Sequence, residues 1–489
     1  MIEMPDLPDE VRASLPPVAQ AYMRALEALV SRQDTQISEM QAQVQTLQAQ
    51  VTELQARMGQ TSQNSSRPPS SDPLSAPPRA PRPASGRKRG GQPGHQRHER
   101  QLLPVGEVDD VIEHHAVICP QCQAALEPDL PDTGDVARQQ VWDLPDVKPQ
   151  VIEHRYHQVT CPHCGAAVQA ERPAGVPPGA FGPGVVALVG LLHGRYRCSV
   201  REIVTLLLDV FHLPISPGAI VDVCQVLSRA LAAPYTESQT IAATAPNSNV
   251  DETGWKQGGK RRWLWVMVSV AATIFMVATQ RSAAALKELL GQSFQGIVTS
   301  DRFKAYLALP VERRQICWAH LKRNWVAFSE LPDPLATWGH NALAQIADLF
   351  TIWHRFKNGE LDRSALQTAM QPVQTQLRQS LEEGRTLPLH KVRAFCDDLL
   401  HLWPALWTFL TVEGVEPTNN AAERALRPAV LWRKGCFGTQ SQGGDVFVAR
   451  ILTIVTTCRQ QDRQILPFLT DSVQAHWNKQ PAPVLCRTP

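Results

Sequence analysis

Ser248-Asn249-Val250-Asp251-Glu252-Thr253-Gly254-Trp255 opens the half of the chain whose reading decides the fold. The stretch reads as a strand that carries an acid into a Gly turn. Beyond it, the 17 residues from Trp263 to Thr279 are uncharged and lie between Arg261-Arg262 and Arg281. They are rich in Val, Thr, Ser and Ile, with Ala271-Ala272-Thr273 mid-way. Two buried strands joined by a tight turn are expected; a membrane span, for which this length is the short limit, is the alternative. Ala283 to Leu290 predicts a short helix. Gly296-Ile297-Val298-Thr299-Ser300-Asp301 predicts another apolar strand ending in an acid. From Cys317-Trp318-Ala319-His320-Leu321-Lys322-Arg323-Asn324-Trp325 to about residue 415 the pattern is one of amphipathic helices. Asn419-Asn420-Ala421-Ala422-Glu423-Arg424-Ala425-Leu426-Arg427-Pro428 then starts a late helix, with an Asn cap and Glu423 in its early turns.

Three strands, a helix, a strand and a late acid-bearing helix is the order of a ribonuclease H-like core. In that geometry the first acid sits mid-sheet, the second ends a neighbouring strand and the third faces them from a helix. Carboxylates are hard oxygen ligands for Mg²⁺. Two such ions, about 4 Å apart, activate an attacking oxygen and stabilise a leaving one in phosphoryl transfer. Asp251, Asp301 and Glu423 are therefore the candidate catalytic residues and ligands of Mg²⁺ (or Mn²⁺). Each has a plainer reading when taken singly. An Asp at a strand end is commonly a cap or turn residue, and Glu423 with Arg427 forms an ordinary i,i+4 pair. Only their joint order points to chemistry.

Working toward the N-terminus, Ser199 to His212 and Pro217 to Leu231 predict two helices around Leu-Pro-Ile-Ser-Pro-Gly. A helix-turn-helix would need donors near the start of the second helix. That helix offers Asp222 and no basic side chain before Arg229, so plain helical packing is expected. Before these helices stand Cys119-Pro-Gln-Cys122 and Cys161-Pro-His-Cys164. Each turn directs two thiolates at one centre, and two turns complete a tetrahedral structural Zn²⁺ site. A redox dithiol is the alternative.

Residues 64–100 carry eight basic side chains, among them Arg87, Lys88 and Arg89, against two acids. This Pro/Ser/Gly-rich linker suits a polyanion such as the DNA backbone, or else serves as a solvated tether. Leu26, Val30, Gln33, Ile37, Met40, Val44, Leu47, Val51, Leu54 and Met58 alternate spacings of four and three. Mostly β-branched a residues and Leu-rich d residues predict a parallel two-stranded coiled coil, with Gln33 as a register-setting seam residue.

The 489 residues are enough for about three domains at ~100–200 residues each. The net charge of +2 excludes a uniformly basic or acidic chain. Eleven cysteines, four of them in two Cys-x-x-Cys turns, favour metal binding in a reducing compartment over a disulfide framework. The acidic N-terminus lacks an apolar signal core, so neither secretion nor a membrane is expected.

The motifs Asp251-Glu-Thr-Gly-Trp255, Ser300-Asp-Arg-Phe-Lys-Ala-Tyr306, Cys317-Trp-Ala-His-Leu321 and Asn419-Asn-Ala-Ala-Glu-Arg-Ala-Leu-Arg427 resemble the large transposase of the insertion sequence 66 family. So do the N-terminal coil, Asn64-Ser-Ser-Arg-Pro-Pro-Ser-Ser-Asp72, Gly90-Gly-Gln-Pro-Gly-His95 and the two cysteine turns. The resemblance covers nearly the whole chain. It implies a multidomain α+β protein whose ribonuclease H-like α/β core carries a helical insertion. It also implies catalytic Asp251, Asp301 and Glu423 with divalent metal, and cleavage and strand transfer of double-stranded DNA at element ends. Position 430, where many such enzymes place Lys or Arg, is Val, which leaves Arg427 and Lys434 as candidate DNA contacts. Cys317 and His320 belong to the motif without an assigned role.

The domain layout expected is then a coiled-coil dimerisation helix at 1–60, a basic linker at 61–101 and a zinc-binding domain at 102–172. A helical DNA-binding or connecting domain follows at 173–246, a catalytic domain at 247–445 with its insertion at about 315–415, and a helical tail at 446–489. Expected partners are terminal-repeat and target DNA, a second copy of the chain and accessory transposition proteins. The expected location is the bacterial cytoplasm, at the nucleoid. A catalytically inactive DNA-binding regulator and a nuclease without joining activity are the rival readings.

Overall fold

No Gly or Pro interrupts residues 18–58, and Pro17 suits a first helical turn, so the segment can run as one helix. It does: after α1 (Asp9–Ser14), α2 spans Pro17–Met58. The structure, a computed structural model, describes residues 9–58, 60–61, 64, 100–127, 130–131, 134, 136–145 and 147–486. The basic run Arg87-Lys88-Arg89 lies outside the described residues. The heptad residues Leu26, Ile37, Met40, Val44, Leu47, Val51 and Leu54 are all exposed. Among the described residues no helix is long and apolar enough to cross a membrane.

The chain divides into two compact units. One comprises Met1–Ala76, Glu153–Leu208 and Pro214–Pro489; the other comprises Pro77–Ile152 and Asp209–Leu213. In the second unit, the described part of residues 100–152 has little regular secondary structure beyond a short 3₁₀ turn at Val105–Glu107.

In the first unit, β1 (Gln158–Thr160) and β2 (Ala167–Gln169) form an antiparallel hairpin. Four helices follow: α3 (Pro183–Gly194), α4 (Val200–Phe211), α5 (Pro217–Ala230) and α6 (Ala232–Ala242). The Ser216 hydroxyl caps α5 by accepting the Ala219 N–H. The α5 side chains Ile220, Val223, Cys224 and Leu227 are buried.

The sheet comes next. β3 (Asn247–Gln257), β4 (Lys260–Val268) and β5 (Thr273–Ala278) form an antiparallel meander. β3 does not end in a turn at Gly254, where one was expected. Gly254 pairs with Trp263 in the ladder, and the turn is made by Gly258 and Gly259, at φ 53° and 77°. Two successive positive φ values are what a two-residue hairpin of the right twist requires. Ser269 to Ala272 make the tight turn between β4 and β5, so the uncharged segment is a pair of buried strands. After α7 (Ala283–Leu290), β6 (Ile297–Ser300) returns parallel to β3, and β7 (Arg314–Ile316) parallel to β6. The strand order is β5-β4-β3-β6-β7.

A long helical insertion leaves the sheet after β7. It contains α8 (Trp318–Ser329), α9 (Leu335–Lys357), α10 (Arg363–Gly384), α11 (His390–His401), α12 (Trp403–Leu406) and α13 (Thr408–Thr411). Its core is aromatic: Trp325 meets Phe395 edge to face at 4.9 Å, and Phe328 meets the same ring at 5.2 Å. The chain then enters α14 (Asn420–Cys436), α15 (Gln442–Gln460) and α16 (Ile465–Trp477).

Both sheet edges are closed. On β5 the Phe275 and Thr273 N–H groups donate to the hydroxyls of Thr453 and Thr457 on α15, at 2.9 and 3.1 Å. On β7 the insertion does the work: the Thr408 hydroxyl donates to Arg314 O at 2.7 Å, and Gln315 Oε1 accepts the Phe409 N–H at 2.8 Å. An unpaired row of edge amides would otherwise template aggregation.

Candidate active site and cysteine turns

Alternation along β3 sends Asn249, Asp251, Thr253 and Trp255 to one face and Ser248, Val250 and Glu252 to the other. The first face receives α14. Asn249 Nδ2 donates to Thr418 O and to Asn419 Oδ1, at 3.3 and 3.0 Å. Asn419 Nδ2 donates to Val250 O at 2.8 Å. Further along, Arg433 bonds the Thr253 hydroxyl at 3.2 Å and the Gly254 carbonyl, and Trp432 meets Trp255 edge to face. α14 is thus bolted to β3 at both ends, with Asp251 between the bolts.

Asn419 stands at the N-cap position of α14, as expected, but its side chain does not cap the helix. It is buried and is spent on β3 instead. The sequence signal for a cap was the signal for a tether.

Register brings the acids together. β3 pairs with β6 as Asn247↔Ile297, Ser248↔Val298 and Asn249↔Thr299. The same offset, carried two residues further, sets Asp301 opposite Asp251. β6 pairs with β7 as Ser300↔Ile316, and Cys317 N–H donates to Ser300 O at 2.9 Å. Asp251, Asp301 and Cys317 therefore stand in a row at the C-terminal ends of β6 and β7 and alongside mid-β3. Ligands of open α/β sheets bind at such strand ends.

The third acid arrives by detour. The chain leaves the sheet at Cys317 and returns at Pro417, and the two ends are bonded together. The Trp318 N–H donates to Pro417 O at 2.8 Å, and the Asn419 N–H to Cys317 Sγ at 3.1 Å. Glu423, one turn into α14, then lies 3.7 Å from His320 Nδ1 and 4.0 Å from Arg323 Nη2, both on α8.

The electrostatics report the crowding. Burial, then the negative charges of Glu252, Asp301 and Glu423, push the Asp251 carboxyl well above its usual range. Burial also pushes Glu252 up, on the opposite face, where it accepts from Arg281 and from the Tyr306 hydroxyl at 2.6 Å. Arg281 reaches Asp301 as well, at 3.7 Å, and stacks on the Phe303 ring at 3.5 Å. Asp301 Oδ1 accepts the Phe303 N–H at 2.9 Å. Burial and the Arg323 charge push His320 down, so it is neutral near pH 7. Burial raises the Cys317 thiol to about 11.

Glu423 Oε1 is buried with no hydrogen-bond partner, a costly state for a carboxylate oxygen unless something binds it. The Glu423 charge is felt at Asp251, and a divalent cation with a preference for oxygen ligands would satisfy the orphaned oxygen. Asp251, Asp301 and Glu423 are the residues that could hold it. Of the other sequence candidates, Arg427 and Lys434 are exposed on α14, seven residues apart and so near one stripe of that helix. Glu252, Arg281, Tyr306 and Arg433 were not singled out by sequence. Only the alternation of β3, which turns Glu252 away from Asp251, could have hinted at a second buried acid.

The two Cys-x-x-Cys turns share one local geometry. In the first, Cys119 N–H donates to Ala124 O and Gln123 N–H to Cys119 O, both at 2.9 Å. In the second, Cys161 N–H donates to Ala166 O at 2.8 Å and Gly165 N–H to Cys161 O at 2.9 Å. Gln123 and Gly165 hold the same left-handed position, at φ 64° and 71°. The leading sulfur of each turn accepts backbone N–H groups, from Cys122 and Gln121 in one and from Cys164 and His163 in the other. Those donors lower both thiols below their ordinary range. Sulfurs so prepared favour the thiolate, the form that ligates metal.

Comparison with known proteins bears on both sites. The family model described as the transposase IS66 family matches residues 178–446, more than half of the chain. The model described as the zinc-finger binding domain of transposase IS66 matches residues 117–165 and so contains all four knuckle cysteines. A family of unknown function matches residues 14–101. Two proteins of Sinorhizobium fredii, the uncharacterized proteins y4hP and y4qI, are each 25% identical to this chain, over 222 and 197 residues. The alignments cover 41% and 37% of this chain, and 40% and 36% of those relatives, so it spans well under half their length.

Proposed function

We propose that this chain, which belongs to the transposase IS66 family, cuts DNA at insertion-sequence ends and joins the freed 3′-hydroxyl to target DNA. The observation that carries the reading is the β3–β6 register that sets Asp301 opposite Asp251, with an unpartnered Glu423 oxygen on the helix packed over β3, whose charge is felt at Asp251. The strand order, with its antiparallel meander and two parallel additions, supports a ribonuclease H-like core.

Asp251, Asp301 and Glu423 would hold Mg²⁺ or Mn²⁺, which when bound activates the attacking oxygen and stabilises the leaving one. The chain's own residues supply the rest. Asn249 and Asn419 fix the approach of α14 and therefore of Glu423. Arg281 holds Asp301 against the strand end. Arg427 and Lys434 are exposed on α14 and suit backbone phosphates, as does the basic run Arg87-Lys88-Arg89. The match to a zinc-finger binding domain supports Zn²⁺ as the metal that the knuckle cysteines Cys119, Cys122, Cys161 and Cys164 would take, and the segment that carries them would recognise the terminal repeats. The protein works at the nucleoid in the bacterial cytoplasm.

An exposed heptad seam on a 42-residue helix needs a partner, and a second copy of α2 in a parallel coiled coil supplies it. Two protomers then hold two element ends together. Leu47→Asp should convert the oligomer to a monomer in light scattering; a wild-type chain that is already monomeric would sink this part of the reading.

The function is tested by incubating the full chain with Mg²⁺ and DNA carrying the element ends beside a target plasmid. Metal-dependent 3′-hydroxyl ends and joined products are expected, both lost in Asp251→Asn. Cleavage that survives in that variant contradicts the reading; cleavage without joining reduces the protein to a nuclease.

A further inference from the structure

Cys317 is the third member of the row that contains Asp251 and Asp301, and the oxygen-ligand chemistry has no use for it. It is fully buried at the N-cap of α8. His320 follows one turn later on the same helix. Ligand atoms of Cys317, His320 and Glu423 all lie within 4.8 Å of one another. Two of those atoms, His320 Nδ1 and Glu423 Oε1, are buried without any hydrogen-bond partner, and they are 3.7 Å apart. Two acceptor-capable atoms left unpaired side by side are more than a packing accident, since each has lost its water without gaining a donor or cation in exchange.

We propose that Cys317, His320 and Glu423 form a second metal site, selective for a soft divalent cation such as Zn²⁺, that shares Glu423 with the oxygen-ligand centre. The ligand types decide the selectivity. One sulfur, one imidazole and one carboxylate match Zn²⁺, whereas Mg²⁺ takes oxygen ligands in a near-ideal octahedron. Size agrees as well. Zn–S, Zn–N and Zn–O bonds of about 2.0–2.3 Å put tetrahedral ligands about 3.3–3.6 Å apart. The His320–Glu423 separation is already close to that, and the widest separation in the trio is no more than 4.8 Å. On binding, the Cys317 thiol gives its proton to water as the metal–sulfur bond forms. The Asn419 N–H at 3.1 Å then donates to a sulfur that carries negative charge. Three protein ligands leave a fourth position for water, as at exchangeable zinc sites.

The consequence rests on the proposed role of Glu423; the binding does not. A soft cation seated here withdraws Glu423 from the oxygen centre, so Zn²⁺ would inhibit a Mg²⁺-dependent reaction by competing for one shared ligand. The trio links the metal state of the surroundings to activity without any moving domain.

Binding is tested on the full chain, without DNA, by metal analysis after equilibration with Zn²⁺ and dialysis. Wild type is expected to retain a further equivalent of zinc beyond the amount retained by His320→Gln and by Glu423→Gln, both of which leave the knuckle cysteines intact. A second measurement reads the sulfur directly. Co²⁺ added to the Cys119→Ser/Cys122→Ser/Cys161→Ser/Cys164→Ser variant should give thiolate-to-cobalt charge-transfer absorption that disappears when Cys317→Ser is added. If that quadruple variant is unfolded by circular dichroism, the zinc count alone decides. Equal zinc content in wild type and both single variants overturns the proposal, and so does Co²⁺ binding to the folded quadruple variant without a thiolate band. Failure here leaves the three-carboxylate centre untouched, because that centre is read out by Mg²⁺-dependent cleavage.

Discussion

The sheet and the helical insertion would build the two halves of the proposed site by opposite means. Asp251 and Asp301 come from neighbouring strands, and a parallel register places them side by side. Glu423 comes from a helix that follows the whole insertion along the chain. The insertion closes on itself, with its departure at Cys317 and its return at Asn419 hydrogen-bonded across 102 positions of sequence. Short-range geometry thus makes the sheet half, and a long loop pinned at its base makes the helix half.

The sharpest way to break this picture is in the sheet half. Asp251→Asn should lower the rate of end cleavage by roughly 10³-fold or more, since a metal clamp supplies several kcal/mol at about 1.4 kcal/mol per decade. Binding of end-sequence DNA, measured by anisotropy, should change little.

The helix half should show a smaller effect of a different kind. Asn419→Ala removes the tether to Val250 O while leaving all three acids in place. Misplacement of a catalytic group by about 1 Å costs on the order of 10²-fold. Cleavage should therefore fall by roughly 10–10²-fold with circular dichroism unchanged. Wild-type rates in this variant would show that the insertion, not the tether, sets the position of Glu423.

Behind the sheet, Tyr306→Phe should destabilise the fold by about 1–3 kcal/mol, because it strips a donor from the buried Glu252 carboxylate. Thermal unfolding measures this, and the loss should exceed any change in cleavage rate per folded molecule.

The smallest effect has the opposite sign. The Asp251 carboxyl is raised in the folded protein, so the metal-free fold is favoured while it stays protonated. That contribution is complete below the ordinary Asp value and is lost as pH rises through the raised folded value. In metal-free wild type, stability should decline across that window and recover on adding Mg²⁺. Asp251→Asn should make the decline shallower, leaving the part due to the raised Glu252 carboxyl, and stabilise the metal-free protein at neutral pH by about 1 kcal/mol. Parallel pH profiles for the two proteins would show that the acids are not crowded.

The same contrast governs what could be read from sequence. The sheet half was legible: the strands around Asp251 and Asp301, the helix Ala283–Leu290 and the buried strand pair within Trp263–Thr279 all follow from local pattern. Gly254 misled, because a glycine inside a strand and a glycine in a turn look alike until the ladder is seen. The helix half was legible only as composition. That Glu423 lies in an early turn of α14 was readable; that Asn419 ties that turn to Val250 was not, since the bond joins residues 169 positions apart. The Glu252–Arg281–Tyr306 cluster was hidden for the same reason. The four knuckle cysteines were plain from spacing, because each turn is closed by backbone bonds within six residues.

On the proposed function, residues from both halves serve one metal centre. It is tested most directly by titrating Mn²⁺ into the metal-free full chain, followed by electron paramagnetic resonance, for wild type, Asp251→Asn, Asp301→Asn and Glu423→Gln. All three substitutions are expected to weaken Mn²⁺ binding. Undiminished binding in Glu423→Gln, with both Asp variants impaired, would contradict it, for the helix would then contribute nothing to the centre that the sheet begins.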